Sequence, residues 1–276
     1  MSAQEDLVLS RRSPTSASLV FLVAVLAAGL ALPGSAFAAV QPAPLAPPVE
    51  GSQAPGDFSM NLYRNGDHVP QYTPYWCIGA SMQMMLNIVG VTDDESRKAQ
   101  ERYMRAARSG GRSPLSDDDV GDTESAGELR GAGSRGWARG LVALGAGGYY
   151  EGAADGYTAA LRGAAKAIRS TGRPVGMIVW RGKHAWVMTG FTATADPLVD
   201  RKFRVTGVYV QDPWYPRVSS IWGPGQRPNK WLSVKALRSD FLPRSRGWRR
   251  PELAGKFVLV LPVTPVRPAV RSGRMV

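Results

Sequence analysis

The chain has 276 residues, 44% hydrophobic and 20% charged, which is enough to bury the core of one domain with additions. Its one cysteine excludes a disulfide framework within the chain. The net charge of +12 comes from basic residues that are scattered rather than striped, which disfavours nucleic-acid binding. A solvated surface is the simpler explanation of this charge, and an anionic cell-wall polymer stays open as a partner.

The first forty residues have the organisation of an export signal. Two arginines, Arg11 and Arg12, precede an apolar run, and Ala36-Phe37-Ala38 supplies the small-x-small pattern at which signal peptidase cuts. The apolar run at 19–32 is shorter than the roughly 20 residues that a membrane span needs, which disfavours the alternative of an uncleaved anchor. The sequence therefore predicts a signal peptide over residues 1–38, exported by the general or the twin-arginine route. We expect a secreted or envelope-associated protein with no stable membrane insertion after cleavage.

The rest of the chain divides by composition. Residues 39–57 are rich in proline and lack periodicity, which predicts a semi-extended linker. A domain is predicted over 58–263, and a basic tail follows at 264–276. Within the domain, 108–136 is rich in Gly, Ser, Asp and Arg, which predicts a flexible insertion. Its acids do not match a calcium-loop pattern, so we predict no metal site.

Helical periodicity appears twice, and β-rich runs follow. From Cys77, apolar residues recur at spacings of four, three and four until Gly90, and a second helix is predicted from Tyr157 to Thr171, closed by Gly172. Four runs then read as strands, and the first two form a hairpin. They cover 174–180, 184–191, 203–210 and 256–261. Helices followed by antiparallel strands favour an α+β fold.

Cys77 is a candidate nucleophile. A thiol without a disulfide partner in an exported protein suits nucleophilic catalysis. Its place in the first turn of a helix favours the thiolate through the helix dipole and the unpaired amides. Of the two histidines, His184 opens a predicted strand and is the candidate base, whereas His68 lies in a polar segment and is interpreted as a surface-loop residue.

Two further residues would complete a hydrolase site. Asp212 ends a predicted strand, where its carboxylate would orient the ring of His184, although an Asp-Pro turn is the simpler explanation of this residue by itself. The side-chain amide of Gln71 would stabilise an oxyanion together with the backbone N–H of Cys77. The cleft walls are assigned to Trp76, Trp186 and Trp214, for each of which core packing is an equally good explanation.

Two local patterns around the cysteine resemble those of papain-like cysteine peptidases. Gln71 and Cys77, with five residues between them, match the oxyanion glutamine and the nucleophile of that family. Ser81, four residues after the cysteine, matches the serine of the signature Cys-Trp-Ala-Phe-Ser. Ile78 departs from the pattern, since papains carry tryptophan after the nucleophile.

Two further patterns resemble the family's second half. His184-Ala185 with Gly190-Phe191 matches the strand of the family's histidine, and Asp212-Pro213-Trp214 stands where papains have Asn-Ser-Trp. The stretch between His184 and Asp212 is longer than in papain, and we interpret Thr192 to Lys202 as a hairpin extension that leaves the strand ends adjacent. The order Gln, Cys, His, Asp is also that of the family.

With aspartate in place of the papain asparagine and a bacterial-type signal peptide, the chain looks most like the secreted, bacteriocin-processing (peptidase family 39-like) group. This resemblance implies a papain-like fold, with an N-terminal helical part carrying the nucleophile helix packed on an antiparallel β-sheet. It implies hydrolysis of peptide bonds without a cofactor, and we expect a monomer. Three other functions stay open: a cell-wall peptide endopeptidase, a transglutaminase-like acyltransferase, and a non-catalytic binding module on a degenerate papain-like fold.

Overall fold

The computed structural model describes residues 57–110, 131–245 and 250–263. The predicted signal peptide, nearly all of the predicted linker and the basic tail lie outside the described residues, as does the centre of the predicted insertion, 111–130. Within the described part of the chain, no helix is long and apolar enough to cross a membrane.

Four α-helices occur in the described residues. They are α1 (Cys77–Ile88), α2 (Arg97–Ser109), α3 (Ser134–Ala143) and α4 (Tyr157–Thr171). The predictions of α1 and α4 are confirmed, including the left-handed Gly172 that ends α4. The predicted insertion is wrong at both ends, because Arg108 and Ser109 belong to α2 and residues 134–136 belong to α3.

The strands of the described residues are β1 (Phe58–Asn61), β2 (Tyr149–Ala154), β3 (Val175–Val179), β4 (His184–Ala193), β5 (Val205–Gln211), β6 (Val218–Ser219), β7 (Gly223–Pro224), β8 (Lys230–Ser233) and β9 (Phe257–Pro262). Seven of them form one antiparallel sheet, so the protein is α+β. Six lie in the order β2-β9-β3-β4-β5-β8, and β1 pairs with the second half of β4. A two-stranded hairpin, β6 with β7, is separate.

The four predicted strands are confirmed as β3, β4, β5 and β9, each within two residues at either end. The predicted segregation of helices before strands is incomplete. The strand β1 precedes all four helices, and β2 lies between α3 and α4. These two strands and β8, which was also not predicted, each pair with a predicted strand, so the sheet is wider than the sequence indicated.

The sheet separates two hydrophobic cores. Along β4, Ala185 and Val187 pack with α1, α2 and α3, whereas Trp186 and Met188 pack with α4. This division follows from the alternation of side chains along a strand. Helix α1 is buried from Ile78 to Asn87. Because its surroundings are packed on every side, the position of its first residue is fixed by the core.

Two glycines permit close approaches that matter for the site. A Cβ atom on Gly79 would lie 2.9 Å from the carbonyl oxygen of Gln100, so this glycine lets α1 pack directly against α2. A Cβ atom on Gly190 would lie 2.2 Å from the carbonyl oxygen of Met60, so this glycine lets β1 pair with β4. Helix α1 and strand β4 are therefore held by backbone contacts near Cys77 and beyond His184.

Candidate active site

Cys77 is the first residue of α1 and is partly exposed as a free thiol. The preceding residue, Trp76, provides no side-chain cap, and no acidic residue lies in the first turn of the helix. The first amides of an α-helix have no partner within the helix. The sulfur therefore lies at a helix N-terminus where these amides are not capped by a side chain.

His184 is the first residue of β4, and its ring meets Asp212. The pairing of Val187 with Gln211 sets the register of β4 against β5, which brings the start of one strand beside the end of the other. His184 Nε2 lies 2.7 Å from Asp212 Oδ1, and the two side chains are 4% and 0% exposed. The structure thus brings these two residues together across 28 positions of sequence, as the predicted hairpin extension requires.

The carboxylate of Asp212 has further donors. The backbone N–H of Trp214 donates to Oδ1 at 2.8 Å, and the backbone N–H of Gln226 donates to Oδ2 at 2.9 Å. A buried charge is tolerated when hydrogen bonds compensate for its lost hydration. These bonds fix the orientation of the carboxylate, and the carboxylate in turn fixes the ring of His184.

The ring of His184 also interacts with Cys77. Because Nε2 faces Asp212, Nδ1 is the ring nitrogen left for the sulfur. Burial lowers the pKa of His184, but hydrogen bonds to Asp212 and Cys77 and the negative charges of both partners raise it to about 9. At neutral pH the ring of His184 is therefore protonated, and it lies between the sulfur of Cys77 and the carboxylate of Asp212.

A hydrogen bond links the nucleophile helix to the histidine strand. Ser81, buried one turn after Cys77, donates from Oγ to the carbonyl oxygen of Ala185 at 3.4 Å. Ala185 follows His184 directly. This contact sets the register of α1 against β4, so it acts on the separation of Cys77 and His184.

Gln71 lies in the loop that leads into α1 and is buried. Its Nε2 donates to the carbonyl oxygen of Thr73 at 2.8 Å, and the backbone N–H of Trp76 donates to the same oxygen at 3.2 Å. Its own backbone N–H donates to the carbonyl oxygen of Pro213 at 2.8 Å. The amide of Gln71 is thus held beside the start of α1, with a second N–H of Nε2 available for another acceptor.

The three tryptophans assigned to the cleft differ in burial. Trp214 is partly exposed, and its ring meets the ring of His184 edge-on with centroids 6.2 Å apart. Trp186 is fully buried in the core beside α4, and Trp76 is buried in the core beside α1. The assignment of Trp76 and Trp186 to the cleft walls is therefore wrong, because side chains that fill a core have no surface to present to a substrate.

Two residues at the site were missed from the sequence. The ring of Trp180 stacks on that of His184, with centroids 4.3 Å apart and planes 23° apart. The indole N–H of Trp180 donates to Asp240 Oδ1 at 2.9 Å. The sequence offered one signal for these residues, a tryptophan directly before the β3–β4 turn. Asp240 gave no signal, because it is distant in the sequence from every other residue of the site.

His68 lies in a loop, as predicted, but its ring is more buried than the interpretation as a surface residue implied. Its ring is partly buried, Nδ1 lies 3.1 Å from Gln211 Oε1, and the ring of Tyr215 meets it edge-on. Burial lowers the pKa of His68. Because Gln211 precedes Asp212, His68 packs behind the carboxylate that holds His184.

The chain matches no protein-family model, and a comparison with curated proteins gives no significant match. Among the described residues, no group of three or more His, Cys, Asp or Glu side chains is placed to hold a metal ion. The assignment of a function therefore depends on the geometry of Cys77, His184 and Asp212 and on the short sequence patterns around them.

Proposed function

We propose that the protein is a cysteine peptidase with a papain-like fold that hydrolyses peptide bonds. One observation carries the proposal: His184 interacts with Cys77 and with the buried carboxylate of Asp212 at the same time. A nucleophile, a base and a group that orients the base are the constellation that cysteine and serine hydrolases share.

The order of chemical steps follows from these contacts. The Cys77 thiolate attacks the carbonyl carbon of the scissile bond, and a C–S bond forms as the carbonyl oxygen becomes an oxyanion. Protonated His184 then gives its Nδ1 proton to the leaving amine as the C–N bond breaks. Water, deprotonated by His184, attacks the thioester and releases the acid and the thiolate. Asp212 keeps the ring in the orientation that both transfers need.

The oxyanion requires donors that are in place before the reaction. The backbone N–H of Cys77 is a first donor, because it lies in the uncapped first turn of α1. The free N–H of Gln71 Nε2 is a second, because this amide is anchored beside the start of α1. Gln71 is thus proposed as an oxyanion residue and Trp214 as the wall nearest the base.

The proposed substrate is a peptide or a protein met outside the cytoplasm, in line with the predicted signal peptide. Neither the transfer of the acyl group to Cys77 nor the release of the amine needs a cofactor. An amine instead of water as the second nucleophile would make the same site an acyltransferase. We propose water as the second nucleophile, because hydrolysis needs no binding place for an acceptor amine.

A peptide library tests the proposal. The mature protein should cleave a subset of peptides. Cys77→Ala should abolish cleavage and His184→Ala should slow it strongly, while circular dichroism shows an intact fold in both variants. A Cys77→Ala variant that cleaves as fast as the parent would exclude the dyad. A parent protein that binds library peptides without cleaving any would favour the binding module, and cleavage of crosslinked cell-wall peptides alone would narrow the substrate class.

A further inference from the structure

We propose that Trp180, anchored by Asp240, is a positioning residue that holds the His184 ring in plane and stabilises its protonated form. This inference rests on the proposed role of His184 as acid and base. Trp180 does not touch a substrate in this account. It acts on the reaction only through the histidine.

The contact is face to face. The rings of Trp180 and His184 have centroids 4.3 Å apart and planes 23° apart, and the two residues are 5% exposed each. A cation over the face of an aromatic ring is attracted by the ring's quadrupole, most strongly for tryptophan and in sites without water. The stack therefore favours the imidazolium over the neutral ring. It also resists rotation of the imidazole away from Asp212 and Cys77.

Asp240 fixes Trp180 at two points. The indole N–H donates to Asp240 Oδ1 at 2.9 Å, and the backbone N–H of Trp180 donates to the carbonyl oxygen of Asp240 at 2.8 Å. The second carboxylate oxygen of Asp240 accepts a hydrogen bond from Ser239 Oγ at 3.0 Å. A carboxylate on the indole N–H also draws the N–H proton away from the ring, which increases the electron density that faces His184.

The backbone at this turn is strained. Trp180 and Arg181 have φ values of 53° and 57°, in the left-handed region that bulky side chains rarely occupy. Such conformations persist where the surroundings determine them, and they cluster at functional sites. Here the two hydrogen bonds to Asp240 hold Trp180 in this conformation. The strained turn is what aims the indole at the first residue of β4.

Titratable groups act on His184 from three elements. Cys77 acts from α1, Asp212 from the loop after β5, and Asp240 from the end of the short helix at 236–239. Burial and the charge of Asp212 raise the pKa of Asp240, whereas the positive charge of His184 lowers it. Asp240 is thus coupled electrostatically to the pair as well as to the indole.

A graded series at position 180 tests the proposal. The pKa of His184 is measured from its ring nitrogens by NMR, where only two histidines contribute and His68→Asn assigns the other. Trp180→Leu should lower that pKa by about one, a tenfold change in the protonation equilibrium, and Trp180→Phe by less. In folded variants kcat should fall about tenfold for leucine and less for phenylalanine, with KM within about twofold.

Two further variants complete the test. Asp240→Asn keeps an oxygen for the indole N–H and removes the charge, so it should lower the pKa of His184 even if Trp180→Leu does not fold. The control is Trp231→Phe. Trp231 is 44% exposed on the edge strand β8, and its indole N–H donates to Oγ1 of Thr192. It should change neither the pKa of His184 nor kcat.

Unchanged titration of His184 in folded Trp180→Phe and Asp240→Asn would overturn the positioning role, as would equal effects of phenylalanine and leucine. The titration needs no turnover. A parent protein that cleaves nothing would therefore contradict the proposed function while the NMR series still decided the role of Trp180.

Discussion

Strand β4 has an acid–base pair near each end, and the two pairs differ in burial rather than in length. At its start, His184 Nε2 lies 2.7 Å from Asp212 Oδ1, with side chains 4% and 0% exposed. Past its end, Arg169 Nη2 lies 2.8 Å from Asp196 Oδ2, with side chains 36% and 18% exposed. The second pair also has more hydrogen bonds between its two side chains, since Arg169 donates to Asp196 from both Nε and Nη2.

The comparison shows that a short distance between opposite charges does not mark a functional site. An exposed pair is screened by water, and such pairs contribute little to stability. A buried pair is screened much less by water. One of its members can also interact with neighbouring groups, as His184 does with the sulfur of Cys77 and the ring of Trp180. Deeper burial and contact with a potential nucleophile distinguish His184 and Asp212 from the more exposed pair, in which Arg169 lies over the ring of Phe58 instead.

Catalytic activity should separate the two pairs by the largest margin. His184→Ala should lower kcat/KM for a cleaved peptide by about 10² to 10⁴, because positioned acid–base groups contribute about that much. Arg169→Ala, the matched loss of a cation at the other end of β4, should leave kcat/KM within about twofold. Losses of similar size in the two folded variants would break the comparison.

Unfolding free energy should separate them next. Asp212→Ala leaves His184 and two backbone N–H groups without their buried acceptor, and we expect a loss of about 3–5 kcal/mol in urea titration. Asp196→Ala should cost less than about 1 kcal/mol, because its partner is solvated. Equal losses of unfolding free energy in the two variants would show that burial does not make the interactions of Asp212 stronger than those of Asp196.

The pH dependence of stability should differ in sign. The pKa of His184 is raised from 6.5 to about 9, so its contribution is complete below about 6.5 and is lost as the pH rises through about 9. Arg169 lowers the pKa of Asp196 below 3.8, so that smaller contribution is lost as the pH falls through the folded value. Thermal melts across pH should show His184→Ala flattening the alkaline limb and Arg169→Ala flattening the acid limb. An unchanged alkaline limb in His184→Ala would contradict the ion pair.

The sequence predicted the elements whose pattern is locally strong. Helix α4 repeats alanine and leucine at the helical period and ends in a glycine, so its bounds were predicted correctly. Helix α2 was missed because half of its buried residues are alanines and another is Gln100, which is fully buried and hydrogen-bonded to Gln83. A buried polar residue that is satisfied by another distant residue has no local signature.

The candidate site was predictable to a similar degree. Cys77, His184 and Asp212 were found from their order and local context, and the structure brings them together, although their roles stay predictions. Trp186 was misassigned because alternation along β4 identifies a shared face but not how deeply each residue is buried. Trp180 and Asp240 were missed because their contact with each other spans 60 residues and depends on a strained turn.

The pairing of Cys77 with His184 is tested most directly by the rate at which iodoacetamide alkylates the protein near neutral pH. Cys77 is the only thiol in the chain, so every label reports on it. The parent protein should react much faster than a model thiol, and folded His184→Ala should react about 10 to 100 times more slowly than the parent, because the imidazolium that favours the thiolate is gone. Equal and slow rates in the two proteins would contradict the pairing.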